Sequence, residues 1–184
     1  MARSLNASVV SEIAKDSVTM CHLLYMGLST AQYMTDAAFD ITYDSNTYTS
    51  SNYLLTMGSI DEASEVRVGS VSIELSSVGQ AFTSIFLTYP YIGKQVIIRR
   101  AFLDSTGSII GDPVVIYDGR IDGFDMNESQ TESTISVSVA SHWSDFEKKA
   151  GRYTNTNSQE LFFSGDKGFE FAANTVKDLK WGRA

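Results

Sequence analysis

Two stretches of strict alternation constrain this chain most. In Ser70–Ser76, Val71, Ile73 and Leu75 alternate with Ser72 and Glu74. In residues 131–141, Ile135, Val137 and Val139 alternate with Ser136 and Ser138. A period of two places every apolar side chain on one face of a strand, so each stretch needs a sheet with one buried and one wet side.

Other segments extend this reading. Residues 20–26 (MCHLLYM) form a dense apolar run. Residues 38–43 and 46–50 flank Asp44-Ser45 as a hairpin. Residues 95–103 (QVIIRRAFL) and 113–117 (PVVIY) pair across turn residues 104–107, and a further strand covers 120–126. Residues 127–130 turn the chain into the second alternating stretch. Three helices are expected. The first carries Leu5, Val9, Val10 and Ile13 on one face, with Ser4 or Asn6 as cap. The second spans residues 80–87 ahead of Pro90. The third is a small helix at 144–150, opened by Ser144 with Glu147 behind it and stopped at Gly151. The sum is a mainly β chain of six to eight antiparallel strands, an antiparallel β-barrel or sandwich.

A length of 184 residues suits one core. The expected division is a β-domain at 1–150 and an extended C-terminal arm at 151–184. Segment 151–171 (GRYTNTNSQELFFSGDKGFEF) is polar and aromatic and shows no helical or strand period. It has little apolar face of its own to bury, so it is expected to pack on the barrel or on a neighbouring subunit. Charge follows a similar division. Residues 36–147 carry 16 acids and 5 bases, whereas residues 148–184 carry 7 bases and 4 acids. An acidic body repels nucleic acid, and a basic tail beside it suits docking between copies.

Chemistry is sparse by comparison. The single cysteine, Cys21, excludes an internal disulfide. Neighbouring residues on a strand point to opposite faces, so Cys21 and His22 cannot act as a dyad. The same argument separates Arg99 from Arg100. With two histidines and one cysteine, a structural zinc site lacks ligands. Asp118, Asp122, Asp125 and Glu128 fail the calcium-loop pattern, because Arg120 stands at its third position and Ser129 at its twelfth. They are expected as solvated acids on a hairpin. Segment 164–168 (SGDKG) lacks phosphate-loop spacing. No catalytic centre and no cofactor is expected. The start of the chain lacks the apolar run of a signal peptide, and no stretch is apolar for the length of a membrane span, so a soluble product of the cytoplasm is expected.

The order of these signals resembles a phage tail and baseplate hub family, which includes the hub proteins of gene transfer agents. The resemblance rests on an N-terminal helix and strand, then a tyrosine-bearing hairpin (YDSNTYTSSNYLLTMGSIDE), then VSIELSSV, then the pair GKQVIIRRAFLDSTGSIIGDPVVIYDGRID. In the tail it rests on Gly151, Arg152, Asn155, Gln159, Gly165, Asp166 and Phe169, and on Trp181-Gly182. Ser164 stands where the family often has proline. The resemblance implies a barrel like those of tail tubes and hubs. It also implies a virion location and a ring, trimeric or hexameric, around the channel for genome ejection. DNA would pass through that channel without specific binding. Neighbours would be tail-tube, distal-tail and tip or fibre proteins. Asp118, Asp122, Asp125 and Glu128 would then line an acidic channel. Arg152, Asn155, Gln159, Phe162, Phe163, Asp166, Phe169, Phe171 and Trp181 would make the subunit contacts. The alternative is a tail-tip protein that binds carbohydrate, with Tyr43, Tyr48 and Tyr53 stacking on sugars, or one that degrades cell wall.

Overall fold

A computed structural model describes residues 5–50, 53–60, 69–78, 80–129, 131–146, 151 and 153–171. The chain divides into two compact units, Met1–Phe146 and Glu147–Ala184.

The first unit is a nearly closed, barrel-like antiparallel sheet. Its strands are β1 (Thr19–Met26), β2 (Gln32–Thr35), β5 (Leu54–Met57), β6 (Ser70–Ser76), β7 (Gln95–Leu103), β8 (Val114–Glu128) and β9 (Ser133–Ser141). They run in the order β2-β1-β7-β8-β9-β6-β5. A separate hairpin pairs β3 (Ile41–Tyr43) with β4 (Asn46–Tyr48). Asp44 and Ser45 join them at φ 50° and 61°, the left-handed pair that a two-residue turn of matching twist requires.

Register explains the core. Val71, Ile73 and Leu75 of β6 face Val139, Val137 and Ile135 of β9. Those in turn pair with Ile121, Phe124 and Met126 of β8. Rows of apolar side chains thus cross three strands on one face, as the alternation dictates. Helix α2 (Ala81–Thr88) adds Phe82 and Phe86, four residues apart on one side, to the same cluster. Strands β1 and β7 are buried on both faces. Leu24, Met26, Val96 and Ile98 enter the main cluster, while Cys21, Leu23, Ala101 and Leu103 form a second one with Ile41 and Tyr48 of the hairpin. That double burial is why MCHLLYM reads as a continuous apolar run.

Several expectations are corrected. The strands expected at 113–117 and 120–126 are one strand, β8, with register shifts opposite Ile98/Arg99 and between Ile121 and Gly123. Gly119 looks like a break but lies mid-strand. A Cβ there would come 2.5 Å from the Ala140 carbonyl oxygen, so the close approach of β9 demands glycine. Nine strands are present among the described residues, because β2 and β5 had no clear pattern to announce them. Helix α1 (Ala7–Ile13) is capped by Asn6, whose side chain accepts from the Ser8 N–H at 3.1 Å. It buries Val9 but leaves Val10 and Ile13 exposed. Where the small helix at 144–150 was expected, a 3₁₀ turn covers His142–Phe146, with Ser144 inside it instead of capping. Residues 147–150 lie outside the described set.

In the second unit, the segment expected to be irregular contains helix α3 (Thr156–Phe162). Asn155 caps it by accepting from the Ser158 N–H at 2.8 Å.

Candidate functional site

The arm residues separate into two roles. Asn155, Gln159 and Asp166 hold the second unit together. The Gln159 side chain donates to Asp166 Oδ2 at 2.6 Å, and the Gly168 N–H donates to Asp166 Oδ1 at 2.9 Å. The bonds from Gln159, then from Gly168, hold the Asp166 carboxyl below its ordinary range. Thr156 Oγ1 donates to the Phe169 carbonyl at 2.8 Å, which ties the start of α3 to the end of the described segment. Gly165, at φ +82°, makes the turn between them.

Most of the described large apolar side chains of this unit are exposed. Helix α3 has no buried residue. Leu161 is 79% exposed and Phe171 73%, with Tyr153, Phe162 and Phe163 also exposed. Phe169 is half-buried. Leu161 and Tyr153 join this surface although the sequence reading did not single them out. Leu161 stands directly before the Phe162-Phe163 pair. Arg152 and Trp181 lie outside the described residues.

The acids of β8 do not converge, and they do not share one face: Asp118, Asp122 and Asp125 stand on the outer side, whereas Glu128, opposite Ser133, falls on the side of Ile135 and Val137. Asp118, Asp122, Asp125 and Glu128 are all exposed. Asp118 accepts from Gln95 Nε2 at 3.0 Å. Asp122 takes the extra position of the register shift, which returns Phe124 to the inner face opposite Val137. Asp125 pairs with Ser136, and Glu128 with Ser133 at the strand end. Among the described residues no group of three or more histidine, cysteine or acidic side chains could hold a metal ion.

Packing places the other candidates as follows. Cys21 is 3% exposed. Burial first, then the Asp36 charge, pushes its thiol up to about 11 against a lowering bond from Thr35, which disarms it as a nucleophile. His22 turns away from Cys21 and bonds Asp36, and Arg99 and Arg100 leave opposite faces of β7. Burial raises Asp36, but hydrogen bonds from the His22 side chain and backbone prevail and hold it below the usual carboxylate range. This pair was invisible in the sequence, because Asp36 follows the unread strand β2. Of the tyrosines, Tyr48 is 2% exposed and accepts from Arg99 Nη1 at 3.3 Å. Tyr53 packs edge-on against Phe82 at 5.4 Å. Tyr43 and Tyr48 line an open pocket together with Tyr25, Tyr33 and Arg99, while Tyr53 is half-buried. Arg99 also lies 6.0 Å over the Tyr43 ring.

No helix among the described residues is long and apolar enough to cross a membrane. No protein-family model matches the sequence, and neither does any curated protein. One solved structure with a similar fold is a chain from the virion of a native gene transfer agent (GTA) particle. It superposes with a TM-score of 0.62 at 12% identity over 82% of this chain. This chain spans 49% of that one's length, and at such identity the likeness establishes a shared fold.

Proposed function

We propose that this chain is a structural component of a phage-type virion tail, placed in the hub, baseplate or distal tail. There it forms a ring, of three or six copies, around the channel for genome ejection. The observation that carries the reading is the fold likeness to a chain of a gene transfer agent virion over most of this sequence. The exposed apolar side chains of the second unit support it as well, since such surface is usual where proteins dock. The exposed Asp118, Asp122 and Asp125 on the outer side of β8 suit a channel wall that DNA slides past without sticking. The role is structural and non-enzymatic, with copies of itself and adjoining tail proteins as partners.

Light scattering on the purified chain, followed by imaging of reconstituted particles, tests this. A ring of three or six copies, or incorporation at the tail tip, is expected. A chain that stays monomeric with tail proteins present and is missing from the particle would overturn it.

A further inference from the structure

Strands β1 and β7 place His22 directly opposite Arg100. Cross-strand partners stand about 5 Å apart at Cβ, and two basic side chains so placed repel once both are charged. Asp36 compensates only the first. Its Oδ1 accepts from the His22 backbone N–H at 2.6 Å, and its Oδ2 bonds the ring Nδ1 at 2.7 Å. The Arg100 side chain makes no hydrogen bond or ion pair with any described residue, and its Nε is buried without a partner. A partly buried guanidinium left so is costly unless another group meets its charge.

Beside it is room for that group. His22, Asp36 and Arg100 line an open groove of about 400 Å³. Ile60 and Ile116 supply apolar walls, and Ser59 brings an exposed hydroxyl. We propose that this groove is a carboxylate-binding site, with the Arg100 guanidinium as its anchor and the Ser59 hydroxyl as a second donor. The planar guanidinium fork matches a carboxylate. Asp36 makes no hydrogen bond to Arg100, since the bonds it accepts on its two oxygens come from His22. A free organic acid and an acidic side chain of another protein share this chemistry. The site stands on the groove alone and is independent of the virion role.

The test is a nitrogen–proton NMR titration of the full chain, following the arginine Nε–H signals and the backbone amides of Gly58 and Ser59. The probes are acetate, N-acetyl-glutamate amide and N-acetyl-glutamine amide, at ionic strength held constant with chloride. Saturable shifts are expected with both carboxylates and none with the glutamine derivative. Arg100→Lys keeps the charge but loses the fork, and is expected to weaken binding about tenfold. Ser59→Ala, at an exposed position, is expected to weaken it by less. Equal affinity for the two carboxylates assigns a free acid as ligand, and tighter binding of the capped glutamate assigns a protein side chain. The proposal is overturned by absence of saturation with either carboxylate or by an equal response to the glutamine derivative. Unchanged affinity in both variants overturns it too.

Discussion

The barrel unit and the arm unit reach order by opposite means. In the barrel, apolar rows cross β6, β9 and β8, and β1 and β7 are covered on both faces. In the arm, α3 has no fully buried residue, and the described contacts that hold it include a cap, a glutamine–aspartate bond and a threonine tether. Burial at roughly 25 cal/mol per Å² makes the first arrangement stable by itself. Hydrogen bonds at an exposed surface contribute about 1 kcal/mol each or less, and an isolated helix of 7 residues falls below the length that holds in water. The contrast teaches that the barrel is a scaffold, whereas the arm keeps its apolar surface outward.

The comparison breaks most visibly in the core. Phe86 lies 5.1 Å from Phe124 and 5.7 Å from Tyr91 between ring centroids. Phe86→Ala is expected to lower barrel stability by about 3–5 kcal/mol in urea unfolding. Next comes the strand crossing at Gly119. Gly119→Ala forces its new methyl against backbone and Tyr117, and a loss of about 1–3 kcal/mol is expected by the same measurement. Should Gly119→Ala prove neutral, the close approach of β8 and β9 is wrong.

Tyr117 sharpens the picture further. Its hydroxyl donates to the Gly69 and Val139 carbonyls, each at 3.0 Å. Tyr117→Phe is expected to cost about 1 kcal/mol. Burial pushes this phenol up to about 12 from an ordinary value near 10. A raised folded pKa means the neutral form is favoured in the fold. Its contribution is therefore fully present below pH 10 and is lost as pH rises from there through about 12. The alkaline fall in melting temperature should be shallower in Tyr117→Phe than in the parent chain.

The smallest effect on stability belongs to the arm. Leu161→Ser with Phe171→Ser is expected to shift barrel unfolding by less than about 0.5 kcal/mol. The same double variant should abolish ring formation in light scattering if the arm docks copies together. Unimpaired rings would leave the arm with no part in assembly.

Particular elements show how much of this was legible. Strands β6 and β9 were plain because one face is apolar and the other wet, so the period of two survives in the residues themselves. The turn at Asp44-Ser45 was legible from side chains that tolerate left-handed backbone. Strand β2 was not, for its four residues are too few to show a period. Gly119 misled for a different cause, since a glycine required by a neighbouring strand looks the same as one that ends a strand. The cap of α3 was present in Asn155 and Ser158 but lay under a segment with no apolar stripe.

The chain's own order of residues determined that it would be a β protein, which side chains of β6 and β9 face inward and where two of its helices lie, because period and turn chemistry act over a few neighbouring positions. Only the tertiary structure decided that the sheet curls into a barrel, that His22 meets both Asp36 and Arg100, and that Tyr153, Leu161 and Phe171 of the arm stay exposed. Those outcomes depend on register between strands dozens of residues apart, and no local pattern encodes a register.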